Sequence, residues 1–252
     1  MKFAVMGGTG LIGSQVVENL NAAGHHAVPC SPRTGVDVLT GKGLGPALAD
    51  ADVLVNLTNS PTFDHDSLAF FQTSMHNLLT AARSSPVGHV VLLSIVGVDQ
   101  VPDLDYYRAK TLQENLLKAE TVPYSIVRAG QFMEFVDAIL SWTTDDGTVR
   151  LPRTRLQPIA AADVAAAVAE VAAGPPLNGT LNVVGPDVFS LDELGRTTLA
   201  ARGEDRTVVV DDSAGMFAAV HGDVLTAPKG ARIAPTHYAD WLKRHSATGT
   251  RR

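Results

Sequence analysis

Apolar and polar positions alternate along this chain in two periods, and the switches between them mark its elements. Residues 2–6 form a short run ending in apolar side chains, as a buried strand does, and Gly7-Gly8-Thr9-Gly10 then forces a tight turn. From Leu11 the apolar residues Leu11, Ile12, Val16, Val17 and Leu20 recur at helical spacing, and Gly24 closes the helix. The alternation continues, with strands expected at 26–30, 36–38, 52–56, 90–94 and 124–128, a brief helix at 44–49, and longer helices at 68–83 and 106–118. Strands separated by helices imply βαβ units and a parallel sheet, and right-handed crossovers then give a doubly wound α/β fold.

Past Arg128 the pattern loosens. Residues 132–142 read as a helix, 149–155 as a basic strand, and an alanine-rich helix from Asp163 ends at Gly174-Pro175-Pro176. A strand at 180–184 follows, and Ser190-Leu191-Asp192-Glu193 is a capping box that opens a helix to Ala201. A late strand at 206–210 and a helix at 237–244 complete the series, with Trp142 and Trp241 as core or lobe anchors. We expect one domain over residues 1–245, a small C-terminal substrate lobe mainly from residues after 132, and a flexible tail at 246–252.

Composition removes several function classes. The 252 residues suffice for one globular core, and the net charge of −6 argues against nucleic acid or an anionic membrane surface as the main partner. The single cysteine, Cys30, excludes an internal disulfide framework and fits a reducing compartment; no Cys/His cluster has zinc spacing, so no metal is expected. The first apolar run is broken at once by glycines, unlike a signal peptide, and no segment is apolar for long enough to span a bilayer. These features lead us to expect a soluble cytoplasmic protein; a monomer or homodimer with a small-molecule substrate is expected from the motifs and the resemblance that follow.

The candidate chemistry starts at Gly7-x-x-Gly10-x-x-Gly13. Gly7 can take the positive φ of a sharp turn, a side chain at Gly10 would hold a ligand's phosphates away from the backbone, and Gly13 lets the helix approach closely. The helix N-terminus offers free N–H groups and partial positive charge to a pyrophosphate. A tight turn without a ligand is the bland alternative, but this one follows a strand and opens a helix, the context of a dinucleotide site. The second signal is Tyr106-x-x-x-Lys110, whose spacing puts both side chains on one helix face, with Ser94 ending the strand before it. Together they suit carbonyl reduction. The Tyr106 phenol donates a proton, the Lys110 ammonium lowers the phenol's pKa, and Ser94 orients the carbonyl. Tyr107, three residues before Lys110, is the competitor for Tyr106.

These motifs, with Ser94-Ile95-Val96-Gly97-Val98 and Val127-Arg128-Ala129-Gly130-Gln131-Phe132, occur in the order that resembles atypical short-chain dehydrogenases/reductases of the NAD(P)H-binding, NmrA-like branch. The resemblance covers residues 1–245 and is more specific in the first half. It implies a Rossmann-type fold, a nicotinamide cofactor and a Ser94–Tyr106–Lys110 set. It also implies cofactor contacts from Gly7, Thr9, Gly10, Leu11, Ile12, Asp37, Val38, Leu57, Thr58, Asn59, Tyr106, Lys110 and Ala129. One departure stands out. The family's supporting asparagine, in the helix before the serine strand, has Phe71 near its position here, with Asn77 about two turns on.

After the second strand, where an NAD site usually carries a carboxylate, this chain has Ser31-Pro32-Arg33, a pair suited to a 2′-phosphate. NADP(H) is therefore expected over NAD(H). Ser60 and Phe63 on one side, and Gln131, Phe132 and Phe135 on the other, are candidate substrate contacts. An NADPH-dependent reductase of a small hydrophobic carbonyl compound, or the reverse alcohol oxidation, is the expected activity. An NmrA-like redox sensor is the first alternative, and a nucleotide-sugar epimerase or dehydratase, which usually needs a larger C-terminal lobe, is the second.

Overall fold

Strands alternating with helices build the first half of the chain. The computed structural model describes residues 1–249. In order, β1 (Lys2–Met6), α1 (Leu11–Ala22), β2 (His26–Cys30), α2 (Leu44–Leu48), β3 (Val53–Asn56), α3 (Asp66–Arg83), β4 (His89–Ile95), α4 (Asp105–Lys118) and β5 (Tyr124–Ala129) follow the expected pattern with one exception. Then come α5 (Val136–Trp142), β6 (Thr144–Asp145), β7 (Thr148–Leu151), β8 (Arg155–Leu156), α6 (Ala161–Ala173), β9 (Gly179–Val184), β10 (Phe189–Ser190), α7 (Leu191–Arg202), β11 (Thr207–Val210), β12 (Arg232–Ile233) and α8 (Tyr238–Gly249).

The main sheet has seven strands in the order β12-β9-β5-β4-β3-β1-β2. The β1–β2, β1–β3, β3–β4 and β9–β12 pairs are all parallel. Because strand side chains alternate, Ala4 and Met6 join Leu54, Val90 and Leu92 in a core with Leu44 and Leu48 of α2, Met75, Leu78 and Leu79 of α3, and Leu117 of α4. Phe3 and Val5 are buried on the opposite face, the side of α1 with Ile12, Val16 and Leu20. Near-continuous apolar strands buried on both faces are what a parallel sheet between helices requires. The fold is Rossmann-type α/β.

The chain divides into two compact units. The first comprises Met1–Arg128 and Val164–Leu181; the second comprises Ala129–Asp163 and the chain from Asn182 onward. Within the second unit, β11-β7-β6 form a small sheet and β10 pairs with β8.

Several expectations need correction. No strand forms at 36–38. Asp37 Oδ1 accepts the N–H of Leu39 at 2.8 Å, and Asn77 Nδ2 donates to the carbonyls of Val38 and Leu39 at 2.9 Å each, so side chains take the groups a strand would pair. The strand expected at 149–155 is interrupted between β7 and β8, at Pro152, which has no N–H for a ladder. Trp142 is no anchor: it is 55% exposed, with its ring edge-on to Phe135. Trp241 is buried, stacks on Tyr238 and donates its Nε1–H to Glu134. The last helix extends to Gly249, into the stretch where a tail was expected; residues 250–252 of that tail lie outside the described residues.

A Cβ on Gly13 would stand 2.1 Å from the Gly7 carbonyl oxygen and 2.7 Å from the Gly8 Cα, both backbone atoms of the glycine turn. Gly13→Ala is expected to lose about 1–3 kcal/mol in urea unfolding through overpacking. An unchanged midpoint would mean that the helix does not need this close approach.

Candidate active site

Parallel register brings the strand ends together. Met6 pairs with both Cys30 and Asn56, and Asn56 pairs with Leu92, so the residues that follow share one edge of the sheet. At that edge Gly7 has φ +76°, and a Cβ there would lie 2.8 Å from the Leu57 carbonyl oxygen. Glycine is needed for both reasons. Gly8, expected only as part of the turn, packs against Pro29 of β2 with no room for a side chain. The N–H of Gly7 donates to the Cys30 carbonyl at 2.9 Å, tying the turn to the end of β2.

At Gly10 an added Cβ would meet little beyond the Gly7 carbonyl, at 3.3 Å. Helix α1 starts there with no capping side chain and no acidic residue in its first turn, so its leading N–H groups are available to an anion. Thr9, Gly10 and Leu11 are exposed beside it, and Ile12 is buried. Ser31 follows β2 with its hydroxyl buried and without a hydrogen-bond partner. Arg33 lies two residues on, in the 3-10 turn Pro32–Thr34, and is exposed. An open glycine backbone, an uncapped helix, an orphan hydroxyl and a guanidinium suit a dinucleotide. Asp37 is committed to its own turn, and the N–H groups of Leu39 and Thr40 hold its carboxyl below the usual range.

The loop after β3 is braced from within. Asn56 Oδ1 accepts the N–H of Thr58 at 3.1 Å and its hydroxyl at 2.7 Å, while Asn56 Nδ2 faces the Met75 sulfur. Leu57 and Thr58 are half-buried, and Ser60 is buried and accepts the N–H of Thr62. Asn59 then accepts the Tyr106 hydroxyl, and the Phe63 ring lies 4.9 Å from the Tyr106 ring. Asn59 and Tyr106 stand 47 residues apart, so no local sequence pattern joins them.

Helix α4 carries Tyr106, Lys110, Glu114 and Lys118 at four-residue spacing, and the first three are buried. The Lys110 Nζ donates to the Leu93 carbonyl at 2.8 Å and to Gln113 Oε1 at 2.5 Å, and lies 4.8 Å from the Phe71 ring centre. Burial pushes the amine down to about 7, with Glu114 opposing the shift. Tyr106 and Lys110 share a helix face but bond to different partners, and burial raises the Tyr106 phenol rather than lowering it. The expected activation of the phenol by Lys110 is therefore not met in this arrangement, where Asn59 and Phe63 cover the phenol. Phe71, where the resemblance has an asparagine, lies beneath both residues, 5.9 Å from the Tyr106 ring. Tyr107 is fully buried.

Ser94 is buried beside Glu114. It makes no well-aligned hydrogen bond, yet it is close enough to favour the ionised carboxylate. Burial raises the Glu114 carboxyl, but Arg128, Ser94 and Lys118 outweigh this and hold it below its usual range. Arg128 grips both Glu114 oxygens at 2.8 and 2.7 Å and reaches Asp99 at 3.0 Å.

Ala129, Gln131, Phe132 and Phe135 belong to the second unit. There the Gln131 carbonyl accepts the N–H of Ile159, Phe132 bridges to Ile159, and Phe132 and Phe135 are half-buried.

A parallel α/β sheet with a glycine turn that opens a helix at its edge defines a Rossmann-type fold. The NAD(P)H-binding family model matches residues 31–175, and the chain belongs to that family. Among curated proteins it is similar to the photosystem II assembly factor Ycf39 of Synechocystis sp., at 25% identity over 152 residues, 53% of this chain and 46% of that one. The chain thus spans about half the length of that relative. Among solved structures it is similar to UDP-N-acetylglucosamine 4-epimerase from Bacillus cereus, with TM-score 0.70 and 18% identity over 99% of both chains. It is also similar to the NADPH-complexed quinone oxidoreductase QOR2 of Escherichia coli, with TM-score 0.65 and 21% identity over 83% of this chain and 77% of that one. The epimerase match shows that an enzyme of that name has a fold of the same extent, so size does not separate the two enzyme readings. No helix among the described residues is long and apolar enough to cross a membrane.

Lys110 gives a signed pH prediction. Its folded pKa lies below the ordinary 10.5, so the unfolded chain binds more protons between about 7 and 10.5, and stability rises with pH across that window. The stability of Lys110→Met relative to the wild type should therefore be greatest at or below about pH 7 and fall toward pH 10.5. Paired urea titrations across this range measure it; a flat or rising difference would mean that Lys110 is not desolvated.

Proposed function

We propose that this chain is an NADPH-dependent reductase of a small carbonyl compound, or catalyses the reverse oxidation of an alcohol. Tyr106 and Lys110 carry the proposal, because they stand one turn apart on the buried face of a helix beside the strand that ends near Ser94. The glycine turn and the start of α1 would hold the pyrophosphate, and Leu57, Thr58 and Asn59 follow β3 at the same edge. Bound there, a reduced nicotinamide supplies a hydride to the carbonyl carbon. Tyr106 gives its phenolic proton to the carbonyl oxygen, so the C=O bond becomes an alcohol and the phenol is left to regain a proton. For this, the Tyr106 hydroxyl has to leave Asn59. Lys110 in its ammonium form would favour the phenolate, and Ser94 would orient the oxygen.

Ser31 and Arg33 support NADP(H) over NAD(H). An orphan hydroxyl and an exposed guanidinium suit a 2′-phosphate, and no free carboxylate stands where a ribose 2′-hydroxyl would need one, since Asp37 is bonded to its own turn. A cofactor-binding assembly or regulatory protein is the second reading. The buried Tyr106 phenol favours it, as does the likeness to Ycf39, which is named as an assembly factor.

Two measurements test the main reading. Calorimetric titration should show NADPH binding about ten- to a hundredfold tighter than NADH, a charge-assisted contact to phosphate contributing about 1.5–3 kcal/mol, with the margin lost in Arg33→Ala. Equal affinities would remove the 2′-phosphate assignment. In a screen of carbonyl compounds and quinones, Tyr106→Phe should lower the rate of NADPH oxidation about a hundred- to ten-thousandfold, and Tyr107→Phe should change it little. The reverse order would place Tyr107 at the reaction, and no oxidation with any acceptor would favour the second reading.

A further inference from the structure

The environment of Lys110 contains a residue that no motif pointed to. A lysine ammonium has three N–H donors and no acceptor. Here they face the Leu93 carbonyl, Gln113 Oε1 and the Phe71 ring, which together saturate the group without Tyr106. Gln113 is fully buried, three residues beyond Lys110 on the same helix. Its Nε2 has no partner, so the amide is oriented for the lysine alone. Ser94 nearby makes no well-aligned hydrogen bond, and the other side chains of this helix face are bonded elsewhere. Tyr106 donates to Asn59, and Glu114, beside Ser94, is held by Arg128 and Lys118, with Arg128 also reaching Asp99.

We propose that Gln113 is the positioning residue for Lys110: its side-chain carbonyl is the side-chain acceptor that holds the lysine ammonium in the seam between α4 and β4, ready for the reaction. This rests on the reductase reading for its role in turnover, but not for the hold itself. A buried amide at this position supports the lysine from within its own helix, in a chain where α3 presents Phe71 to it.

Titration of the Lys110 side chain by NMR, on full-length protein with lysine labelled at Cε and no cofactor present, decides the hold. Assignment uses Lys110→Arg. Gln113→Leu removes the acceptor and should lower the Lys110 midpoint, whereas Gln113→Glu places a carboxylate against the amine and should raise it by about one to three pH units. Midpoints that match the wild type in both variants would overturn the proposal. If Gln113→Leu does not fold, Gln113→Glu decides alone. Where NADPH oxidation is measurable, its pH profile should move with the Lys110 midpoint in Gln113→Glu; a fixed profile would overturn the role in turnover. Absence of turnover in every protein, wild type included, would instead sink the reductase reading and leave the titration to decide the hold.

Discussion

A lysine amine in a dry seam is the constraint around which this site is built. A charged group costs several kcal/mol to desolvate unless its hydrogen bonds are replaced. The carbonyl of Leu93, the amide of Gln113 and the ring of Phe71 replace them for Lys110, on β4, α4 and α3. One side chain thus touches three elements that the apolar core already packs together. Below it on the same helix, Glu114 meets the same constraint by another route, with Arg128 bonded to both of its oxygens. Helix α4 thus presents a phenol, an amine and a carboxylate in a column, each with its own partner.

The cofactor edge depends on a different physical limit, the space available to backbone. Gly7, Gly8 and Gly13 are fixed by contacts in which a Cβ would overlap a neighbouring main chain, whereas at Gly10 a Cβ would meet only the Gly7 carbonyl oxygen, at 3.3 Å. Gly7 and Gly8 make the turn, Gly13 lets α1 close onto it, and Gly10 leaves its backbone exposed. The Gly7 contact with Leu57 also links this turn to the loop that ends at Asn59 and the Tyr106 hydroxyl. The two halves of the site therefore meet in one loop.

The parallel sheet was legible because its strands are apolar on both faces and its helices carry regular apolar stripes. Turn chemistry was less so: Asp37 and Asn77 remove the expected strand at 36–38 by bonding backbone groups from outside the local pattern. Two-residue strands such as β8, β10 and β12 are too short to show a period of two. In the site, Tyr106 and Lys110 were visible because helical spacing is a local property. Gln113 was not, since a buried amide has no sequence signature until its partner is known, and Asn59, expected only as a cofactor contact, gave no sign of its bond to Tyr106. The glycine turn marked where an anion could sit, but nothing in its spacing told that Gly8 packs on β2.

A crystal structure of the NADPH complex tests the central claim, that α4 presents a working acid and its lysine at the cofactor edge, more directly than any other measurement. The account predicts the pyrophosphate on the N–H groups at the start of α1, the 2′-phosphate against Ser31 and Arg33, and the Tyr106 hydroxyl released from Asn59 and turned toward the nicotinamide. A complex in which Tyr106 stays bonded to Asn59 beneath Phe63, with no space beside the nicotinamide for a second molecule, would contradict it.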